Sequence, residues 1–306
     1  MTLVLVTGAT GTVGSSVLRL AQQRGLRVRA LVRDPHRAAS ALDGDVDLAV
    51  GDFSDPHSVA RAMKDVQRVF LACANHPRQF DYEVNAIDAA AASGVERIVK
   101  LSAVGAEIGS PLEFWDTHGR IEQHLASSGI PAVTIRPTTY MTGVLAAADT
   151  VSRLGKLFVP AGRARIAMIH PVDVAQVAAV ALDSGGWEGR TLTLTGPEAL
   201  TYQEIARHLA TVLGRPVEYV DVPDHEARRG LLAAGLPEWL VTNLVILFGL
   251  IREGVMGEAT DSVRSLTGTP ARTFLEFATE FAGAFRAPGP MGPPPPAGVP
   301  QGASPA

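Results

Sequence analysis

Three glycines at three-residue intervals stand out in the run Val6-Thr7-Gly8-Ala9-Thr10-Gly11-Thr12-Val13-Gly14. An apolar stretch, Leu3 to Val6, precedes them and an amphipathic one follows. A strand that turns sharply into a helix at such a run presents unpaired backbone N–H groups, at the positive end of the helix dipole, to an anion. Gly8 would permit the tight turn, Gly11 the close approach of a diphosphate, and Gly14 the close contact of helix and strand. Gly8, Thr10, Gly11, Thr12, Val13 and Gly14 are therefore expected to hold the diphosphate of a dinucleotide.

The next chemical signal lies about twenty residues further on, where Leu31-Val32-Arg33-Asp34 closes a second apolar run. An acidic residue at that point takes the ribose hydroxyls of NAD, whereas an arginine suits the 2′-phosphate of NADP. Arg33 is thus read as the selector of NADP(H), and Asp34 as the cap before Pro35. The competing reading makes Arg33 a solvated charge and gives the ribose to Asp34. A third run ends in Gly51-Asp52-Phe53. Asp52 there either contacts an adenine, with Phe53 packed beside it, or caps its own loop.

These residues need a scaffold, and the first half of the chain supplies a regular one. Strand-like runs at Leu3–Thr7, Arg27–Val32, Val46–Val50, Arg68–Ala72, Arg97–Leu101 and Ala132–Ile135 are mostly short and aliphatic, as parallel strands covered on both faces require. Helical stretches at Val13–Arg24, Pro35–Leu42, Pro56–Met63, Phe80–Ser93 and Phe114–Ser128 separate them. Asp34-Pro35 and Asp55-Pro56 each place a capping carboxylate before a first-turn proline. This alternation predicts an α/β fold, a Rossmann-type doubly wound parallel sheet.

After about residue 140 the pattern loosens into a smaller, mainly helical C-terminal lobe. Strands are expected at Gly155–Pro160, Arg165–Ile169, Thr191–Leu194 and Val217–Val220. Helices are expected at Pro171–Leu182, Thr201 to Leu213 behind a Thr-x-x-Glu capping box, Asp224–Ala233, Pro237–Arg252 and Thr273–Phe285. The boundaries drawn are 1–153 for the nucleotide-binding core, 154–286 for a substrate lobe interleaved with the sheet, and 287–306 for a disordered tail rich in proline.

Composition excludes several other functions. The net charge of -4 and pI near 6.1 argue against a nucleic-acid partner, since phosphate neutralisation needs a concentrated basic face. Cys73 is the single cysteine and sits in an apolar run, where it reads as a small buried residue of a reducing cytoplasm. The first residues lack the basic lead-in of a signal peptide, and Leu244 to Ile251 is too short to span a bilayer. No His, Cys, Asp and Glu spacing suggests a metal. A soluble cytoplasmic protein, monomer or homodimer, with no membrane partner is expected.

Taken together, Gly8 to Gly14, Arg33, Gly51-Asp52, Leu101-Ser102-Ala103-Val104-Gly105 and Ile135-Arg136-Pro137 resemble the atypical short-chain dehydrogenase/reductases, in particular the NmrA-like group. The likeness extends over about residues 1 to 285 and includes Thr195-Gly196-Pro197-Glu198 and Leu266-Thr267-Gly268. It implies NADP(H) as cofactor, and either a quinone reductase or a redox sensor that binds the dinucleotide without turnover. A non-redox cyclase or dehydratase on the same scaffold is a third option.

One departure stands against the likeness. Orthodox members carry Tyr and Lys four residues apart on the helix after the fifth strand, with Glu four beyond. Aligning Glu122 with that Glu puts His118 at the Lys position and Phe114 at the Tyr position, so the usual proton donor is absent. The catalytic candidates are then His118, which would also touch the cofactor, Ser102 at the end of the fifth strand, and Tyr140, which could supply the missing hydroxyl. Each has a structural alternative: His118 on a half-exposed helix face, Ser102 as a strand cap, Tyr140 at a lobe boundary. His170 is read as a strand cap. The expected reaction is hydride transfer from NADPH to a quinone or polycyclic aromatic ketone, in a pocket walled by Phe114, Trp115, Tyr140 and the helix around Leu244 to Phe248. Those aromatic residues would otherwise be core.

Overall fold

The computed structural model describes residues 2–42 and 46–286, so the proline-rich tail lies outside the described residues. The first half alternates β1 (Leu3–Val6), α1 (Thr12–Gln23), β2 (Arg27–Val32), α2 (Pro35–Ala41), β3 (Asp47–Val50), α3 (Pro56–Ala62), β4 (Arg68–Leu71), α4 (Gln79–Ala92), β5 (Arg97–Leu101), α5 (Glu113–Ser127) and β6 (Ala132–Pro137). A 3-10 helix at Met141–Ala147 leads into α6 (Ala148–Leu154) and β7 (Lys156–Val159). Then come β8 (Arg165–Ile166), α7 (Pro171–Asp183), β9 (Thr191–Leu194), β10 (Leu200–Thr201), α8 (Tyr202–Leu213), β11 (Glu218–Asp221), α9 (Asp224–Ala233), α10 (Glu238–Arg252), α11 (Ser262–Thr267), α12 (Phe274–Glu280) and α13 (Ala282–Arg286).

Seven strands form one parallel sheet in the order β3-β2-β1-β4-β5-β6-β9. From β1 the chain winds outward through β2 to β3, then crosses back to β4 and winds the other way. The strand order therefore reverses between β1 and β4, and loops diverge from the carboxyl ends of those two strands. In open α/β sheets that crevice is where ligands bind. Side-chain alternation assigns the strands' two faces. Val4, Val6, Phe70, Val99 and Ile135 meet α1 and α7 in one core. Leu3, Leu5, Val69, Leu71 and Ile98 meet α3, α4 and α5 in another. β9 belongs to this sheet and α7 packs on its face, although both follow β7 and β8 in the chain.

A separate core holds the C-terminal elements, with Leu157, Ile205, Leu209, Phe274, Phe277 and Phe285 at its centre. Capping boxes of Thr201 with Glu204 and Thr273 with Glu276 start α8 and α12. The helices α9 and α10 pair into a hairpin around Leu236, Leu240, Val241 and Leu244, against which Phe114 leans.

Several expected boundaries shift. The strand expected at Arg165–Ile169 is only two residues long. The chain then closes on Gly196, where a Cβ would stand 2.0 Å from the Met168 carbonyl oxygen, and Ile169 bridges to Tyr140 alone. The long last helix breaks at Phe281, two residues before Gly283, a poor helix former. His170 caps α7, not a strand, its Nδ1 accepting from the Val172 amide at 3.2 Å.

Candidate functional site

The turn from β1 into α1 is held from below. Thr7 Oγ1 donates to the Ala72 carbonyl at 2.9 Å and accepts from the Ala72 amide at 2.8 Å, fastening the ends of β1 and β4 together. Gly8 then takes φ of +60°, a conformation unfavourable to other residues, and the Gly11 amide closes the turn on Gly8 O at 2.9 Å. A Cβ on Gly14 would lie 2.1 Å from Gly8 O, so only glycine lets α1 start this close to the strand. No side chain caps α1, whose N-cap is Gly11, and Thr10 and Thr12 are exposed beside it. Its first-turn amides are thus placed for an anion. The Val13 side chain is buried, which leaves its backbone as the only part available to a ligand.

Arg33 and Asp34 follow β2, and both are exposed. Asp34 Oδ1 accepts from the amides of His36 and Arg37 at 2.9 and 3.2 Å, so it caps α2. Asp52 behaves similarly, accepting from the Ser54 amide and hydroxyl at 2.7 and 2.6 Å. Burial pushes its carboxyl up, but the Ser54 bonds and the charges of Arg33 and Arg78 outweigh this and leave it below the ordinary value. Phe53 stacks on Tyr82 with ring centroids 6.4 Å apart, and Tyr82 stacks on His76 at 5.1 Å. Arg78 lies over the Tyr82 ring at 5.1 Å. Tyr82, His76 and Arg78 carried no motif in the sequence; only the fold sets α4 beside the loop after β3.

At the carboxyl end of β5 two polar groups meet. Ser102, 5% exposed, donates its hydroxyl proton to Glu122 of α5. Glu122 is gripped at both oxygens by Arg136 of β6, with Nε at 3.0 Å. The second group centres on Lys100, whose side chain is wholly buried. Its Nζ lies 2.8 Å from Glu83 Oε2 and 3.2 Å from His118 Nδ1, and donates also to the Leu101 carbonyl. Gln79 donates to the other Glu83 oxygen at 2.9 Å. Burial raises the Glu83 carboxyl above its ordinary value, against the pull of the Lys100 charge. Burial, with the charges of Lys100 and Arg136, pushes the His118 imidazole well below its ordinary value, so the ring is neutral.

Ser102 and His118 thus come together at one strand end, and His118, at 7% exposure, is no half-exposed surface residue. Tyr140 is placed differently. It packs against the core of α1 and α7, where burial raises its phenol. Trp115 is core, its ring under the backbone of Gly105. Phe114 stays half-buried, edge-on to Trp239 of α10 with centroids 6.1 Å apart. Cys73, after β4, has its thiol pushed up by burial and by Glu83, which removes it as a nucleophile. Sequence reasoning missed Lys100 and Glu83. The available signal was a lysine inside a strand too apolar to face water, opposite a helix bearing Gln79 and Glu83 one turn apart. Among the described residues no group of three or more His, Cys, Asp or Glu is placed to hold a metal ion.

A sheet that reverses its order at β1 and β4, with a glycine turn at the reversal and the uncapped start of α1 above it, defines a dinucleotide-binding α/β protein. The chain belongs to the NmrA-like family, whose model matches residues 1–277. It is 34% identical over 285 residues to an NAD(P)H azoreductase of Xenophilus azovorans, covering 93% of this chain and all of that protein. It is 36% identical over 284 residues to a (4-alkanoyl-5-oxo-2,5-dihydrofuran-3-yl)methyl phosphate reductase of Streptomyces griseus, covering 92% of this chain and 99% of that protein. Among solved structures, NADPH-dependent quinone oxidoreductase QOR2 of Escherichia coli, complexed with NADPH, superposes with a TM-score of 0.84 at 27% identity. That match covers 92% of this chain and 99% of the other.

Proposed function

We propose that this protein is an NADPH-dependent reductase of electron-poor conjugated acceptors such as quinones, polycyclic aromatic ketones or azo compounds. The residues present fit the dinucleotide: the close-packed glycine turn and uncapped α1 suit a diphosphate, and the exposed Arg33 suits a 2′-phosphate. Gly8 to Gly14 would hold the diphosphate, Arg33 the 2′-phosphate, and Phe53 with the Tyr82 row the adenine side. When bound, NADPH supplies a hydride equivalent from its nicotinamide. Support for the redox reading comes from the relatives, an NAD(P)H azoreductase and an NADPH-dependent quinone oxidoreductase.

The observation that carries the choice of acceptor is the scarcity of acid at the end of β5. Phe114 stands one turn before His118, the Ser102 proton is committed to Glu122, and the His118 ring is kept neutral. A simple ketone would need a strong positioned acid to take the charge developing on its oxygen. A quinone or extended aromatic ketone spreads that charge over its own π system. The protein's residues then have only to orient the two partners and exclude water. The half-buried Phe114 and the half-buried apolar side chains of α10, Ile246 to Phe248, offer the apolar surface such an acceptor requires.

Oxidation of NADPH and NADH at 340 nm, across a panel of quinones, aromatic ketones, azo dyes and simple aliphatic ketones, tests this. The expected result is turnover with NADPH and the conjugated acceptors, and little with aliphatic ketones. Binding of NADPH without oxidation by any acceptor would make the protein a sensor, and product formed without NADPH consumption a cyclase or dehydratase.

A further inference from the structure

Lys100 is the one charged side chain that β5 buries completely, and its ammonium is held by one ion pair and two hydrogen bonds. An ammonium carries three N–H donors and no lone pair. Here it donates to His118 Nδ1 at 3.2 Å and to the Leu101 carbonyl oxygen, and pairs by charge with Glu83 Oε2 at 2.8 Å. Facing an ammonium, Nδ1 must be the acceptor, so the ring's single proton sits on Nε2. Gln79 in turn fixes the second oxygen of Glu83 at 2.9 Å. A buried pair of this kind seldom stabilises a fold relative to apolar residues of the same size, since desolvation consumes most of the attraction. What it does supply is orientation of the group it touches.

We propose that Lys100, braced by Glu83, is a positioning residue that fixes His118 as an Nε2–H ring, making His118 a hydrogen-bond donor toward a hydroxyl or carbonyl oxygen of the bound dinucleotide. The part of this that concerns the ligand rests on the proposed function; the tautomer does not. The charges that act on the ring and the groups that hold those charges act together. Lys100 of β5 and Arg136 of β6 oppose a second proton, Glu83 of α4 is neutralised by Lys100, Glu122 of α5 is held by Arg136 and Ser102, and Cys73 after β4 keeps its proton. A donor that neither flips nor charges keeps the same polarity toward its partner across the neutral range.

The test is 15N-histidine labelling of the full chain, with the His118 ring assigned by loss of its signals in His118→Gln. Long-range proton–nitrogen spectra from pH 5.5 to 8.5 should show one protonated nitrogen, Nε2, and one bare nitrogen, Nδ1, unchanged throughout. A ring that is Nδ1-protonated, or that titrates within that range, would overturn the proposal in the wild-type protein alone. Glu83→Gln combined with Lys100→Met removes both charges and keeps the volume. In that variant His118 should become a mixture of tautomers, and NADPH should bind about 3- to 10-fold more weakly by calorimetry, the worth of one hydrogen bond. Unchanged nitrogen shifts in the double variant would assign the tautomer to some other contact. Unchanged spectra in wild type with no NADPH heat would leave the tautomer standing and fail the cofactor reading, so the two failures separate.

Discussion

Single side chains decide the chemistry at both ends of the site. Asp34, the competing ribose ligand, has one oxygen on the amides of His36 and Arg37, where it caps α2, and Arg33 beside it is the side chain at the end of β2 that a phosphate would suit. Arg33→Ala should therefore weaken NADPH by about tenfold, the size of a charge-assisted hydrogen bond at an exposed site, and leave NADH unchanged in parallel calorimetric titrations. Equal loss of both would return Arg33 to the solvent. At the other end, His118 was legible as a candidate from its spacing to Glu122, but its partner was not. Spacing along a helix relates His118 to Phe114 and Glu122; it carries no information about a lysine on the neighbouring strand. Lys100 could be placed only once the alternation of β5 was tied to a face, with Ile98 and Lys100 turned toward α4 and α5 and Val99 toward α1 and α7.

The elements were far more legible, because each is announced by local chemistry. The prolines and capping aspartates before α2 and α3, and the Thr-x-x-Glu box before α8, mark helix starts wherever they occur. The strands of the sheet are aliphatic because both faces are covered. What escaped was short and set by tertiary contact: the 3-10 turn at Met141–Ala147, α6, the two-residue β10, and α11, while β8 was expected but drawn three residues too long. The same local logic gives two stability predictions. Thr201→Ala should lower the unfolding free energy by about 1 kcal/mol, read from the denaturant midpoint, because it removes the cap from a half-buried helix start. Gly14→Ala puts a methyl 2.1 Å from Gly8 O, where backbone must move. It should cost about 1–3 kcal/mol, as forced overpacking does, and abolish NADPH binding by displacing the phosphate turn. A Gly14→Ala protein that binds NADPH normally would contradict the role given to that contact.

Over the whole molecule, buried ionisable groups tie the sheet and the C-terminal lobe to pH. His118 lies under the sheet, while His170, at 2% exposure, meets Phe277 and Phe281 at the seam between α7 and α12. Burial lowers both imidazoles relative to the unfolded chain, His170 against the pull of Glu280 and Asp173. The unfolded chain then binds more protons, so the histidine contribution to stability is complete above about pH 6.5 and is lost as pH falls toward the folded values, at up to about 1.4 kcal/mol per pH unit for each proton. Glu83 and Asp173, raised by burial, run the other way: their contribution is complete at acid pH and is lost as pH rises through their folded values. His170→Asn keeps an acceptor at the start of α7 but does not titrate, so it should flatten the fall in stability between pH 7 and 5.5 in urea titrations. An unchanged slope would exclude His170 from the effect. No helix among the described residues is long and apolar enough to cross a membrane. All of this architecture, from the reversed strand order to the close-packed glycines, converges on the mouth of α1. Calorimetric titration of the purified full chain with NADPH probes that point most directly: saturable heat, one dinucleotide per chain, tighter than with NADH, is the expected outcome, and no heat with either dinucleotide would contradict it.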